Sequence, residues 1–284
     1  MRHLLAIRDL SPDDLNRILE LSETPAPRVL QDKGVALYFE KPSSRTRNSM
    51  EMAAAQLGAH PVFIQPAELG MGSRESVADV TRTLACYHAI IAARVFDHAL
   101  LEQMAAVNAA PVLNMLSASD HPLQALADLL TIKQLLGRIE GARIAFIGEA
   151  NNVSRSLAEG CALLGGELNI ASPLGFGFGR SLPNVNPCRD PDKAVDGADI
   201  VYTDVWLSMG DEDNDERRAA FEAYQVDEAL MARAPNAWFM HCLPAKRGEE
   251  VTAPLIDGAR SAVWRQAENR MHTARGAMLW LLDK

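Results

Sequence analysis

The chain of 284 residues is long enough for one large or two medium domains, and its 48% hydrophobic and 23% charged residues are ordinary for a globular protein. Its net charge of −9 argues against a nucleic-acid binder, which usually carries a basic footprint. The four cysteines have no C-x-x-C spacing, and no apolar run could span a bilayer. We therefore expect a reduced, cytoplasmic protein with no membrane segment.

The first half of the chain alternates between strand and helix patterns. A helix is expected to begin at Ser11, because this serine cap is followed by Pro12 and two acidic residues. Short apolar runs predict strands at 35–39, 61–64, 89–93 and 111–114, and helical patterns follow at 48–57, 75–87 and 98–106. The Gly-rich, polar stretch 65–73 is expected to be a loop.

The same alternation restarts after Gly137, which ends a long helical pattern at 122–136. Further strands are expected at 143–148, 168–171, 200–202 and 238–241, with helices at 153–164 and 266–282, a loop at 173–190 and an acidic segment at 210–222. We predict an α/β fold of two doubly wound parallel-sheet α/β domains joined by bridging helices. One domain comprises 1–133 plus 266–284, and the other 134–265.

The turn after the first strand, 43–47, combines hydroxyls, two guanidinium groups and a helix start. The free N–H groups and the positive dipole end of a helix favour anions, and arginine presents a planar fork to phosphate or carboxylate oxygens. A serine N-cap beside two solvated arginines explains the same residues equally well.

Other polar residues follow further predicted strands, where open α/β sheets place ligands. They are Arg94, His121 with Gln124, Asn151 and Asn152, Asp204 with Ser208 and Met209, and His241 to Pro244. Each alone has an ordinary structural explanation, such as a helix cap or an inert core thiol. Their order along an alternating fold nevertheless predicts that they share one sheet edge.

Several common site motifs are absent from the sequence. Gly148 ends a predicted strand, but no second or third glycine follows, so a dinucleotide fingerprint is not present and a nicotinamide cofactor is not expected. The chain also has no Walker motif, G-x-S-x-G elbow or H-E-x-x-H metal motif.

Five long motifs in one order carry a family resemblance. They are SSRTR at 43–47, HPLQALADLLT at 121–131, DVWLSMG at 204–210, HCLPAKRGEEV at 241–251 and AENRMHTARGAM at 267–278. With them the chain resembles the aspartate/ornithine carbamoyltransferases over nearly its whole length. The SMG and HCLP segments are similar to the ornithine branch of that family.

The resemblance implies transfer of the carbamoyl group from carbamoyl phosphate to the δ-amine of L-ornithine, giving citrulline and phosphate, in arginine biosynthesis. It makes the first domain the carbamoyl-phosphate-binding domain and the second the ornithine-binding domain. The implied carbamoyl-phosphate ligands are Ser43, Ser44, Arg45, Thr46, Arg94, His121, Gln124, Cys242, Leu243 and Arg270. Donors at the carbonyl oxygen would stabilise the charge that develops there.

For ornithine, the resemblance implies binding by Leu116, Asn152, Asp204, Ser208 and Met209. Arg94, His121, Asp204 and Cys242 take the catalytic roles. No cofactor or metal is implied, and the partners are the two small-molecule substrates and, within a homotrimer, further copies of the chain. Because an anion relieves repulsion between clustered arginines, we expect carbamoyl phosphate to bind first and domain closure to follow.

The sequence also departs from the family pattern. Glu68 stands where glutamine is expected, in a loop that neighbouring subunits would share, and either Ser73 or Arg74 is an alternative. Met115 replaces a usual glycine, and the stretches 23–33 and 173–190 are short. Two other functions stay open: a carbamoyltransferase for a modified ornithine or another amine, and a catalytically silent relative. The direction of the reaction in the cell is not given by the residues.

Overall fold

The described residues, 1–207 and 214–283 of a computed structural model, divide into two compact units. Unit 1 comprises Met1–Ala127 and Glu268–Lys284, and unit 2 comprises Asp128–Ala267. Both divisions fall inside helices, one in the helix Pro122–Leu136 and one in the helix Val263–Leu281. The predicted bridging helices are therefore continuous across the change of unit.

Unit 1 contains a four-stranded, fully parallel sheet in the order β2-β1-β3-β4. Its strands are β1 Gly34–Phe39, β2 His60–Ile64, β3 His88–Arg94 and β4 Val112–Leu116. Its helices are α1 Pro12–Glu23, α2 Ser44–Gln56, α3 Pro66–Leu69, α4 Val77–Tyr87, α5 His98–Val107 and the first part of α6 Pro122–Leu136. Ile91, Val112, Leu101 and Met104 belong to one fully buried cluster between sheet and helices.

Unit 2 contains a five-stranded parallel sheet in the order β7-β6-β5-β8-β9. Its strands are β5 Arg143–Ile147, β6 Glu167–Ala171, β7 Val185–Cys188, β8 Ile200–Thr203 and β9 Trp238–His241. Its helices are α7 Asn152–Leu164, α8 Pro191–Val195, α9 Asp215–Phe221, α10 Glu228–Arg233, α11 Ala253–Ile256 and the beginning of α12 Val263–Leu281. Ile147, Val201, Phe239 and Phe221 are fully buried in its core.

The two doubly wound parallel sheets confirm the predicted fold class. The predicted loop at 173–190 is wrong in part, because β7 lies within it and pairs in parallel with β6. This strand has no apolar run, and its middle residues Asn186 and Pro187 are exposed at the sheet edge, where a proline is tolerated. The sequence of such an edge strand does not alternate between apolar and polar residues, so it gives no strand signal.

Other boundaries also differ from the sequence prediction. Helix α2 begins at Ser44 rather than at residue 48, because Ser43 caps it by accepting a hydrogen bond from the Thr46 N–H. The predicted loop 65–73 contains the single-turn helix α3. Part of the acidic segment forms α9, and residues 210–213 lie outside the described part of the chain.

None of the helices in the described part of the chain combines the length and apolar character needed to cross a membrane.

We predict that Gly276→Ala destabilises unit 1. A Cβ at this position of α12 would lie 2.6 Å from the Ile18 carbonyl oxygen and 2.2 Å from Ser22 Oγ on α1. Alanine gains about 1 kcal/mol of helix propensity over glycine, but a clash with backbone costs more, so we expect a net loss of about 2 kcal/mol.

The matched control is Gly177→Ala, since a Cβ there meets no atom within 4 Å. Urea denaturation of both variants measures the difference in unfolding free energy. Equal stability of the two variants would contradict the close packing of α1 on α12.

Candidate functional site

In each unit, the functional candidates lie at the carboxyl ends of strands that meet at a switch in strand order. In unit 1 the order reverses between β1 and β3, and Phe39 and Arg94 at their ends are paired in register. In unit 2 it reverses between β5 and β8, and Ile147 pairs with Thr203. Such switch points open a crevice at the carboxyl edge, which is where open α/β sheets bind ligands.

The unit 1 candidates converge on the first turn of α2. We call them the arginine cage: Thr46, Arg94, His121, Gln124 and Arg270, with Ser43 and Arg45 at the helix start. Apart from Ser43 and Arg45, each of these side chains is at least 94% buried. The structure therefore brings together residues of α2, β3, α6 and α12, as the sequence predicted for this group, with His121 directly before α6.

Thr46 is the common acceptor of the arginine cage. Its Oγ1 accepts hydrogen bonds from Arg94 Nη1 and Arg270 Nη2, both at 3.3 Å, and from Ser43 Oγ at 3.2 Å. Arg270 also donates through Nη1 to Gln124 Oε1. These contacts fix two guanidinium groups against the amino-terminal turn of a helix, whose N–H groups and dipole add to the positive potential.

The charged form of Arg94 is disfavoured in this arrangement. Burial, followed by the charges of Arg270 and Arg45, lowers the pKa of Arg94 to about 10. Its Nε also has no hydrogen-bond partner within the described residues. A buried cation that is surrounded by like charge is suited to bind an anion, because the anion removes the repulsion.

His121 stands directly before α6 and is 5% exposed. Burial, then the charges of Arg270 and Arg94, place the pKa of this imidazole well below its ordinary value. His121 is therefore neutral near pH 7 and acts as a hydrogen-bonding group rather than as a third cation. That state suits contact with a carbonyl oxygen on which negative charge develops.

The two arginines of the 43–47 motif have different surroundings. Arg47 stacks over the Phe63 ring at 3.9 Å and donates from Nε to Glu51 Oε1 at 2.7 Å. Arg45 is exposed at the helix start and contributes to the potential at Arg94. Arg45 is therefore the one of the two that remains a candidate for anion binding.

The remaining residues of unit 1 that the sequence singles out have mainly structural contacts. The Leu116 carbonyl accepts a hydrogen bond from the Val95 N–H at 2.9 Å, and Met115 is fully buried on β4. In the 67–76 loop, Glu68 Oε2 accepts from the Gln65 N–H, and Arg74 Nη2 donates to the Glu68 carbonyl at 2.6 Å. Ser73 likewise bonds to the Gly70 carbonyl.

The unit 2 candidates form a second group, the carboxylate–thiol site of Asn151, Asp204 and Cys242. Asp204 Oδ2 accepts from Asn151 Nδ2 at 2.8 Å, and its Oδ1 accepts from Cys242 Sγ at 2.9 Å and from the Val205 N–H at 2.8 Å. These three donors come from the ends of β5, β8 and β9, which are neighbours in the sheet. They fix the orientation of the carboxylate.

Cys242 is a thiol rather than a thiolate in this site. Burial is the main cause that raises its pKa well above the ordinary value, and the Asp204 carboxylate adds to it by charge and by accepting the S–H hydrogen bond. A protonated thiol is a hydrogen-bond donor and a poor nucleophile. In this geometry the Cys242 thiol orients the Asp204 carboxylate.

Asn152 is the first residue of α7, and the preceding Asn151 caps this helix by accepting from the Val153 and Ser154 N–H groups. Ser208 and Met209, the other predicted amino-acid ligands, lie outside the described residues. Sequence reasoning did not assign Asn151 its contact with Asp204. The Asn151-Asn152 pair at the start of a helix indicated that one residue caps the helix and the other is available for another contact. The sequence alone did not say which residue has which role.

The donor atoms of Asp204, His241 and Cys242 lie within 4.8 Å of one another, a spacing that could hold a metal ion. However, His241 Nδ1 accepts the Leu243 N–H at 2.8 Å, and Nε2 contacts Glu250 Oε1 at 3.0 Å. Both ring nitrogens are engaged, so this geometry supplies two of the three ligands only.

Comparison with known proteins assigns one family model to each half of the chain. The family model described as aspartate/ornithine carbamoyltransferase, carbamoyl-P binding domain matches residues 2–134, and that described as the Asp/Orn binding domain matches residues 140–281. The second match extends over most of α12, although the structure groups residues from Glu268 onward with unit 1.

Curated relatives and solved structures cover the whole length. The chain is 45% identical to the ornithine carbamoyltransferase of Hyperthermus butylicus, over 99% of this chain and 97% of the relative. It is 42% identical to that of Bacillus subtilis, over 100% and 94%. The ornithine carbamoyltransferase structure from Pyrococcus furiosus superposes with a TM-score of 0.92 at 40% identity, covering 98% of this chain and 96% of that one. On these grounds the chain belongs to the aspartate/ornithine carbamoyltransferase family.

Proposed function

We propose that the protein transfers the carbamoyl group of carbamoyl phosphate to the δ-amine of L-ornithine and releases citrulline and phosphate. The observation that carries this proposal is the combination of a buried arginine cage in unit 1 with a carboxylate–thiol site in unit 2. The first suits an anion, and the second suits an ammonium group. Full-length relatives that are named ornithine carbamoyltransferase support the same reaction.

In unit 1, the phosphate binds at the start of α2, where Ser43, Ser44, Arg45 and Thr46 supply hydroxyls, N–H groups and charge. Arg94, His121 and Thr46 meet the carbonyl oxygen, and Gln124 accepts from the carbamoyl NH₂. Arg270 completes the set of cations. Preorganised donors at a developing oxyanion commonly contribute about 10²–10³ in rate each, and no covalent intermediate is required.

In unit 2, Asp204 and Ser208 bind the α-ammonium group of ornithine, and Asn152 with the Met209 backbone binds its carboxylate. Cys242 faces the δ-amine. The δ-amine has a solution pKa near 10 and attacks only when neutral. A free α-ammonium and α-carboxylate are what these groups suit, which disfavours a modified ornithine as substrate.

All four cysteines are free thiols, as expected of a protein in a reducing compartment, and we propose a cytoplasmic location.

A citrulline assay tests the function directly. Carbamoyl phosphate is supplied with ornithine, N-acetylornithine, putrescine or aspartate, and we expect turnover with ornithine alone. Asp204→Asn removes the charge that pairs with the α-ammonium, so kcat/KM for ornithine should fall by about 10–100-fold. Turnover with none of these amines would indicate a silent relative, and turnover with another amine would indicate a different substrate.

Replacement of Arg94 by methionine tests the arginine cage. Because its folded pKa of about 10 lies below its ordinary value of 12.5, the charged Arg94 destabilises the folded state at every pH below about 10. Without ligand, Arg94→Met should therefore melt at or above the wild-type temperature. Saturating phosphate stabilises the wild type by about 2.7 kcal/mol at 100 times its Kd, and the variant should lose most of this gain.

Scanning calorimetry with and without inorganic phosphate measures both effects. Arg82→Met is the matched control, since Arg82 is an exposed residue that pairs with Asp79 at 3.1 Å on α4. A destabilised Arg94→Met variant that keeps the full response to phosphate would contradict the role of the cage.

We also propose a homotrimer, which the family resemblance implies. Light scattering should give a mass three times that of the 31.0 kDa chain. A fully active monomer would show that the 67–76 loop, with Glu68, Ser73 and Arg74 bonded within itself, supplies nothing to a neighbouring site.

A further inference from the structure

We propose that His241 and Glu250 are positioning residues for the carboxylate–thiol site, a role that the proposed chemistry of Asp204 and Cys242 leaves unassigned. The inference rests on the proposed function, because it concerns the turn that presents Cys242 and Leu243. Both side chains are fully buried and face each other across 3.0 Å. Neither contacts Asp204 or Cys242 through a hydrogen bond described for unit 2.

The turn that follows β9 has an unfavourable backbone. Leu243 has φ +60°, a left-handed conformation that a leucine rarely adopts. Such a conformation persists only where surrounding contacts determine it. One contact lies at the strained residue itself, since the Leu243 N–H donates to His241 Nδ1 at 2.8 Å.

This hydrogen bond requires one tautomer of His241. Nδ1 accepts a hydrogen bond from the Leu243 N–H, so the ring proton of the neutral imidazole lies on Nε2 and points to Glu250 Oε1. Glu250 therefore selects the tautomer in which Nδ1 can hold the turn. In the alternative tautomer, the Nδ1–H group of His241 would face the Leu243 N–H group, and the two could not form a hydrogen bond.

Glu250 Oε1 also reaches the far end of the same turn, because it accepts the Lys246 N–H at 2.6 Å. One buried oxygen thus joins the residue before Cys242 to the residue after Ala245. His241 is anchored on a third side, where its own N–H donates to Gln266 Oε1 at 2.9 Å. These contacts hold both ends of the turn, and within it Cys242 Sγ lies 2.9 Å from Asp204 Oδ1.

Two matched pairs of variants test the proposal. Glu250→Gln keeps an oxygen that can accept from both His241 and Lys246, whereas Glu250→Leu removes it. His241→Asn keeps a side-chain oxygen that can accept the Leu243 N–H two residues on, as in an Asx turn, whereas His241→Leu removes it. Arg247→Gln is the control, since Arg247 lies in the same segment but pairs with exposed Asp257.

The measurements are kcat and KM for ornithine and for carbamoyl phosphate, with the thermal midpoint as a separate readout. We expect Glu250→Leu and His241→Leu to lose about 10²-fold in kcat/KM for ornithine, as for a misplacement of about 1 Å. Glu250→Gln and His241→Asn should stay within about tenfold of the wild type, and the KM for carbamoyl phosphate should change by less than about fivefold in all variants.

Equal losses within each pair, or equal effects on both substrates, would overturn the proposal and leave the two residues a general structural role. If Glu250→Leu yields no folded protein, the His241 pair decides alone by the same criterion. A wild-type chain that makes no citrulline contradicts the proposed function instead, so the two failures are distinguishable.

Discussion

The main electrostatic feature of unit 1 is the mutual repulsion of its buried arginines. Arg94 and Arg270 are almost fully buried and share one acceptor, the Thr46 hydroxyl, at the start of α2. A cage of this kind is unfavourable to the folded state on its own, as the lowered pKa of Arg94 shows. The four-stranded sheet supports it because the ends of β1 and β3 are held in register at the switch point. An arrangement that lowers stability in this way is suited to bind an anion, because the anion removes the repulsion.

Unit 2 also has a switch point in a parallel sheet, but the charge there is negative. Its switch point carries a carboxylate, Asp204, which is held by an amide, a backbone N–H and a thiol. The high pKa of Cys242 keeps that thiol protonated, so that it orients the carboxylate and adds no second negative charge. Two similar sheets thus present opposite charge at corresponding edges, which is what one anionic and one cationic substrate require.

Much of this was predictable from the sequence, because strand ends in parallel sheets are marked by a change from apolar to polar residues. The turn at 43–47, Arg94 and Cys242 stand at such changes. Edge strand β7 was not predictable, since its exposed residues follow no hydrophobic period. The pairing of His241 with Glu250 was also out of reach, because a motif gives residue types and leaves open which of them touch. The sequence likewise did not show that Arg47 of α2 stacks on Phe63 of β2, because the two residues are distant in the chain.

The position of a bound phosphate group decides whether the arginine cage binds carbamoyl phosphate. A crystal structure of the protein with carbamoyl phosphate would locate it by its electron density. We predict a phosphate at the start of α2, on the Arg45 N–H group and the Thr46 hydroxyl, with the carbonyl oxygen within hydrogen-bond distance of Arg94 and His121. A phosphate bound away from this helix start, with the hydrogen bonds of Arg94 and Arg270 to Thr46 unchanged, would show that the arginine cage does not bind carbamoyl phosphate.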